Sequence, residues 1–327
     1  MALMNVKPGQ KRFSYGGQAV IEGVMMRGVH TAAVAVRNPA GEIVVHEQPL
    51  NERLYRGRLI KTPFLRGLIG LWDALGLGTR ALMWSADVAM GEEEEVNFNG
   101  PMGWATVAFS LLIGLGVFFL LPTTIASGLQ RALSLQDQPT VVNLFEGLVQ
   151  LSILITYISL IGLLPDVKRI FRYHGAEHKT INAYEAGAEL TPENVEKFPI
   201  EHPRCGTAFL LTVVFVGVFF FSLLGRPPFL TLVLSRLVLI PIIAGVSYEL
   251  LRFTAKHRHH PLIRWLIVPN LALQHLTTRQ PELAMIEVAV VAFERVLVSE
   301  GLIAAQDARR FAPNPKAVSP TFAIEQS

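Results

Sequence analysis

Four long apolar stretches constrain what this chain can fold into more than any other feature of its sequence. They cover residues 104–127, 144–164, 207–224 and 229–251. A helix needs about 20 apolar residues to cross the hydrocarbon core of a bilayer, and each stretch is close to that length. The chain is also 51% hydrophobic and only 17% charged, which is too apolar for an ordinary soluble domain. We therefore predict a mainly α-helical integral membrane protein with four transmembrane helices.

The distribution of basic residues predicts the orientation of these helices. Eleven Lys and Arg residues precede the first span, six lie between the second and third spans, and nine follow position 251. The two remaining loops have one each. Because basic loops stay in the cytoplasm, both termini and the loop 165–206 are predicted to be cytoplasmic. The net charge is only +3 and the basic residues are spread along the chain, so we expect no nucleic acid as a partner. Membrane lipids, and proteins at the cytoplasmic face, are the partners that a membrane protein of this orientation would meet.

The first 60 residues are polar enough to form a small β-containing region outside the bilayer. Segments 30–37 and 42–48 are rich in β-forming residues, and the turn sequence Asn38-Pro39-Ala40-Gly41 between them predicts a hairpin. The glycines within residues 16–28 indicate tight backbone turns, which suit either a binding loop or simple packing in a small sheet. Three polar residues among them are candidate binding residues: Gln18, Glu22 and Arg27.

The remaining segments are predicted to lie at the membrane interface or in solvent. Residues 61–103 combine interfacial helices with an acidic loop, and residues 253–311 combine an interfacial segment with a C-terminal helix. The four-helix region occupies residues 104–252, and the proline-rich tail 312–327 is predicted to be disordered. Within the fourth span, Arg236 must either find a partner in the bundle or extend to the interface, because a lone charge is costly there.

The cytoplasmic loop contains the sequence His174-Gly175-Ala176-Glu177-His178-Lys179. Pro165 and Asp166 suit a helix start and Gly187 a helix end, so residues 166–186 are predicted to form one helix. Residues four apart share a helix face, which makes His174 and His178 candidate ligands of a divalent metal ion such as zinc. Glu177 is then the candidate general base, in the order His-x-x-Glu-His of inverted zinc peptidases. A hydrogen-bonded polar cluster without metal is the alternative.

Three further residues are candidates for completing a metal site. Glu185 falls on the same helix face, Cys205 precedes the third span, and Glu249 lies near the end of the fourth. A helix N-terminus and the neighbouring Arg204 both favour the Cys205 thiolate. The alternatives to a metal ligand at this position are a nucleophile and a small buried residue. An ion pair with Arg252 is the alternative for Glu249. Lys179 is a candidate for holding an anionic group.

Six blocks of sequence stand out along the chain: residues 15–28, His174 to Lys179, Arg204-Cys205-Gly206-Thr207, Tyr248-Glu249-Leu250, Leu273-Gln274 with Thr277-Thr278, and Glu287-Val288-Ala289. In this order they resemble the YqhQ family of bacterial multi-pass membrane proteins, over residues 14–300. Members of that family are described as predicted metal-dependent enzymes. The resemblance therefore implies a bacterial cytoplasmic membrane protein. It directs attention to nine residues: Gly17, Gln18, Glu22, Gly23, His174, Glu177, His178, Cys205 and Glu249.

Together these features predict a membrane-embedded metal-binding protein. A metal-dependent hydrolase at the cytoplasmic membrane face is the leading interpretation. The alternative is a non-enzymatic membrane scaffold or assembly factor with a structural His/Glu cluster. A transporter fits less well, because four spans with few intramembrane charges offer little for a transport pathway.

Overall fold

The computed structural model describes residues 15–52, 57, 61–91, 100–257 and 260–309. The predicted disordered tail and the acidic residues 92–95 lie outside the described residues. The described chain is mostly helical, with one small sheet near its N-terminal end.

The N-terminal region forms an antiparallel sheet whose four strands follow chain order: β1 (Gly16–Val20), β2 (Gly23–Arg27), β3 (Thr31–Arg37) and β4 (Ile43–Pro49). The predicted hairpin is confirmed as β3 and β4, and Gly41 in its turn has a φ of +86°. Both faces of the sheet are buried. Ala33 and Ala35 of β3 enter one apolar cluster and Val34 and Val36 enter another, as the two-residue repeat of a strand requires.

The helices that follow in the described chain are α1 (Leu65–Met90), α2 (Pro101–Ala132), α3 (Pro139–Ile161), α4 (Pro165–Glu185), α5 (Pro192–Val195), α6 (Gly206–Leu224), α7 (Phe229–Lys256), α8 (Pro261–Thr277) and α9 (Leu283–Ser299). In the segment 61–103, which was predicted to contain interfacial helices, the described residues before position 92 contain one 26-residue helix, α1. Helix α2 contains one π-helical turn, Gly116–Leu120.

Helices α2, α3, α6 and α7 correspond to the four predicted spans. Each is long and apolar enough to cross a membrane. Most residues in the apolar part of each helix are not covered by other parts of the protein, as expected of helices whose outer faces would meet lipid. Helix α8, the predicted interfacial segment, packs against α6, α3 and α7 and leaves Leu262, Trp265 and Leu266 exposed.

The sheet lies between two helical layers. Helix α1 covers one face, and α4 and α9 cover the other. Helix α4 begins only four residues after α3 ends, and the start of α1 packs against α7. The sheet region is therefore attached to the four apolar helices through α4 and α1, and the loop that carries the histidines lies at this junction.

Candidate metal site

Helix α4 carries the two histidines of the predicted metal site. Pro165 and Asp166 lie in its first turn, where a missing N–H and a negative charge are both favourable. Gly187 follows its end with a φ of +75°, so the prediction of one helix here is confirmed. His174 and His178 are one turn apart, and their ring centroids are 4.3 Å apart.

Cys205 joins the two histidines, although it lies 27 residues beyond His178 in sequence. Its thiol caps the N-terminus of α6 by accepting the backbone N–H of Thr207 at 3.4 Å, and its Sγ is 3.2 Å from Nε2 of His174. One ligand atom from each of His174, His178 and Cys205 lies within 4.8 Å of the other two. A group with this spacing could hold a metal ion.

Two backbone carbonyls determine which nitrogen of each ring is available. Nδ1 of His174 is 2.9 Å from the carbonyl oxygen of Thr277, and Nδ1 of His178 is 2.5 Å from that of Ile200. A carbonyl oxygen can only accept, so in the neutral rings each Nδ1 carries the proton and each Nε2 keeps its lone pair. Metal-binding histidines are oriented in the same way, with the second ring N–H held by a carbonyl or carboxylate.

The surroundings of Nε2 of His178 show whether this group fits a metal ion. The side chain is 1% exposed, and among the described residues this nitrogen is buried without a hydrogen-bond partner. A buried acceptor without a donor costs about 1–3 kcal/mol. The donor set of two imidazole nitrogens and one sulfur suits zinc and related transition metals. The residues present therefore fit the metal ion that the sequence predicted.

Glu177 faces the sheet rather than the ligand group. Its buried carboxylate accepts a hydrogen bond from the backbone N–H of Gly17, while Oε2 has no partner among the described residues. Burial raises the pKa of this carboxyl to about 7, and the nearby His174 and Gly17 oppose the rise. A Cβ on Gly17 would lie only 3.0 Å from Cδ of Glu177, so the glycine allows β1 to approach the carboxyl.

Two of the predicted ligands, Glu185 and Glu249, are bound by arginines and do not belong to the group of ligand atoms. Glu185 forms an ion pair with Arg204, which lies beside Cys205. Glu249 accepts from both Nε and Nη2 of Arg66 and from the backbone N–H of Phe64. The Arg66 guanidinium engages both carboxylate oxygens of Glu249, so this carboxylate already has a charged, bidentate partner.

The four predicted binding residues also lie outside the ligand group. Gln18 places its side-chain amide against α1, and Arg27 is the last residue of β2. Glu22 lies in the turn between β1 and β2 and accepts two hydrogen bonds from Arg169 of α4. The ammonium of Lys179 donates to the carbonyls of Glu196 and Phe198 at 2.6 Å each. Burial lowers the pKa of Lys179, and these carbonyls satisfy the buried charge.

Three residues around the site were not singled out as site residues by the sequence. Ile200 and Thr277 contribute only backbone carbonyls, which no side-chain pattern reveals. Gln274 is fully buried and makes two hydrogen bonds to the backbone of His202. Two signals were available for Gln274: it is a polar residue inside the apolar segment 262–276, and it belongs, with Thr277, to one of the six sequence blocks that resemble the YqhQ family.

Comparison with known sequences identifies the family of this chain. Residues 62–299 match the family described as "Protein of unknown function (DUF1385)". This chain belongs to the DUF1385 family. The chain is also 36% identical over 302 residues to the "Uncharacterized protein YqhQ" of Bacillus subtilis (strain 168), covering 88% of this chain and 94% of the relative. The predicted resemblance to YqhQ is therefore confirmed. No solved structure matches the chain. The DUF1385 match includes all three ligand residues, so the candidate site lies inside the family region.

Proposed function

We propose that this protein binds a divalent transition-metal ion through Nε2 of His174, Nε2 of His178 and Sγ of Cys205. The observation that carries the proposal is the buried Nε2 of His178, which has no hydrogen-bond partner among the described residues and lies within 4.8 Å of the other two ligand atoms. A bound ion would satisfy this nitrogen and favour the thiolate of Cys205.

Zinc is the ion that we favour. It is bound by His nitrogen and Cys sulfur in tetrahedral sites, and three protein ligands leave the fourth position open, as in catalytic zinc sites. Copper also accepts two histidines and one cysteine, so the metal content of the purified protein decides between them. Two neutral imidazoles and one thiolate leave the site with a net charge of about +1 when a divalent ion is bound.

A metal-dependent hydrolase is the activity that we propose for this site, with Glu177 as general base. The support is the position of Glu177, which directly precedes the ligand His178, interacts electrostatically with His174, and keeps Oε2 without a partner among the described residues. Its carboxylate faces the sheet in this structure, so the side chain would have to turn toward the metal-bound water to act as the base. Burial raises the pKa of this carboxyl to about 7, which suits a general base at neutral pH. A bound ion would lower the pKa of its water and so supply a nucleophile. The non-enzymatic alternative is a scaffold or assembly factor in which the metal only clasps α4 to the start of α6.

The site would lie at the cytoplasmic surface of the bacterial membrane. We propose that α2, α3, α6 and α7 cross the bilayer with their apolar faces in contact with lipid, because their length and composition allow it. The basic residues then favour a cytoplasmic sheet region, where protein partners would also bind.

Metal analysis of the full-length protein in detergent tests the proposal. We expect about one ion per chain in the wild type and less than about 0.2 in His178→Ala and Cys205→Ser, because each change removes a ligand. His275→Ala is the matched control, since His275 is exposed and is paired with Glu201 rather than with the ligand group. Fewer than about 0.2 ions per chain in wild type after metal loading would refute metal binding.

Carboxylate variants separate the two interpretations of the site. Glu177→Gln, Glu185→Gln and Glu249→Gln should all keep the metal, because none of these carboxylates belongs to the ligand group. Under the hydrolase interpretation, Glu177→Gln abolishes activity, whereas a scaffold would keep its function in the cell. Metal loss in Glu177→Gln would make this residue a ligand instead.

A further inference from the structure

Gln274, in the last turns of α8, holds the backbone of the segment that leads to Cys205. Its Oε1 accepts the backbone N–H of His202 at 2.9 Å, and its Nε2 donates to the carbonyl of His202 at 2.9 Å. The Gln274 amide therefore binds both the N–H and the C=O of one residue, as the backbone of a neighbouring β-strand would. Both partners are buried, so water cannot replace either hydrogen bond.

His202 lies between two points that shape the candidate metal site. Two residues before it, the carbonyl of Ile200 faces Nδ1 of His178. Three residues after it comes Cys205, whose backbone N–H donates to the His202 carbonyl at 3.2 Å. The carbonyl that accepts from Gln274 is thus the same one that closes the turn before Cys205. A shift of His202 would move both the Ile200 carbonyl and the cysteine thiol.

The same end of α8 also reaches the other histidine. Thr277 follows Gln274 by three residues and presents its carbonyl to Nδ1 of His174 at 2.9 Å. The backbone N–H and the hydroxyl of Thr278 both donate to the carbonyl of Gln274, at 2.8 Å each, which continues the helical turn past Thr277. The end of α8 therefore supplies the carbonyl that supports His174 and holds His202, whose carbonyl accepts from Cys205 and which lies two residues after Ile200, the support of His178.

We infer that Gln274 is a positioning residue that sets the geometry of the His174, His178 and Cys205 group and hence its affinity for metal. The inference rests on the proposed metal binding and deepens it. An apolar side chain at this position would remove the Gln274 acceptor of the His202 N–H and would leave the His202 carbonyl with the Cys205 N–H but without the Gln274 donor. A buried polar group that loses its partner costs about 1–3 kcal/mol. The segment would shift to recover hydrogen bonds, which would displace Cys205 from the two imidazoles.

Cobalt binding by the full-length protein in detergent tests this inference. Cobalt(II) is the probe because a thiolate ligand gives it a charge-transfer absorption band that reports the Cys205 contact directly. Gln274→Met keeps the length of the side chain and removes its hydrogen bonds. We expect a cobalt affinity about 10–100-fold weaker than wild type, the usual effect of losing an outer-shell contact, together with a weakened thiolate band.

Gln150→Met is the matched control. Gln150 is a partly buried glutamine of α3 whose Nε2 donates to the carbonyl of Phe118 at 3.1 Å, away from the ligand group. This change removes a similar hydrogen bond and should leave cobalt affinity and the thiolate band unchanged. If Gln274→Met does not fold, Gln274→Asn retains the amide on a side chain one methylene shorter and should weaken binding in the same direction.

The outcomes separate this inference from the proposed function. Wild-type binding with a thiolate band, and Gln274→Met binding within about twofold of it, would overturn the positioning role and leave metal binding intact. A wild type without cobalt binding would overturn both. A lower melting temperature of metal-free Gln274→Met, with unchanged affinity and band in the folded protein, would mean that Gln274 only stabilises the fold, and would also overturn the inference.

Discussion

Gly175, between the two histidines of α4, shows how one residue permits the site to form. A Cβ at this position would collide with the backbone carbonyl oxygen of Arg279. The backbone N–H of Arg279 also donates to the carbonyl of Phe171 at 2.9 Å, so the segment after α8 lies directly on α4. This close approach brings the Thr277 carbonyl to His174. The glycine is therefore required by backbone contact rather than by a turn.

We predict that Gly175→Ala destabilises the protein and weakens metal binding. The methyl group meets backbone rather than a flexible side chain, so α4 and residue 279 must move apart, at a typical overpacking cost of about 1–3 kcal/mol. Thermal unfolding in detergent should show a lower midpoint, and a chelator competition should show weaker metal binding.

Gly128→Ala, in α2, is the control for this substitution. A Cβ on Gly128 has nothing within 4 Å, and the gain in helix propensity is worth up to about 1 kcal/mol. The control should be neutral or stabilising. Equal stability of Gly175→Ala and wild type would contradict the close approach between α4 and residue 279.

At the scale of the elements, a buried charge cluster joins the apolar helices at the end away from the sheet. Glu146 of α3 forms ion pairs with Arg226, in the turn between α6 and α7, and with Arg236 of α7. All three side chains are at most 6% exposed. Arg236 also lies over the ring of Phe221 at 4.2 Å. Of the two alternatives for Arg236, the structure shows a partner inside the bundle.

We predict that Glu146→Ala is strongly destabilising. The change leaves two buried guanidinium groups without their carboxylate, and breaking a buried ion pair from one side costs about 3–5 kcal/mol. Glu287→Ala is the control, because Glu287 pairs with Arg37 at the surface and such pairs contribute about 0–1 kcal/mol. The free energies of unfolding of the two variants, measured in detergent, should differ by several kcal/mol. Similar unfolding midpoints would contradict a stabilising role for the cluster.

The elements also show how far the sequence could predict this structure. Apolar length was sufficient for the four long helices, β-forming residues around a turn sequence for the β3–β4 hairpin, and helix periodicity for the pairing of His174 with His178. These patterns were insufficient for the third member of the candidate ligand group. Periodicity placed Glu185 on the histidine face but carried no information about Arg204, which binds its carboxylate, because that arginine lies beyond a loop of irregular structure. Cys205 joins the site through the same loop, so its position depends on tertiary contacts such as those of Gln274.

At the scale of the whole molecule, the packing around the sheet restricts the topology. The sheet comes from the N-terminal region, α4 lies between the second and third apolar helices, and α9 follows the fourth. All three pack together, so they must lie on the same side of any bilayer that the apolar helices cross. Four crossings satisfy this requirement, because each pair of spans returns the chain to its starting side. The contacts thus agree with one part of the prediction from the basic residues, namely that the N-terminal region, the loop 165–206 and the C-terminal region lie on the same side.

Cysteine labelling of intact cells would test this topology. Cys205 is buried, so the wild type should react slowly with a membrane-impermeant maleimide and serves as the background. Asp137→Cys places an exposed thiol between α2 and α3, and we expect labelling from outside the cell. Glu193→Cys places one in α5, beside the candidate site, and should react only after the membrane is permeabilised. If Glu193→Cys were labelled from outside and Asp137→Cys only after permeabilisation, the protein would have the opposite orientation in the membrane. Labelling of both thiols from one side would mean that α3 does not cross the bilayer, since α3 separates the two positions.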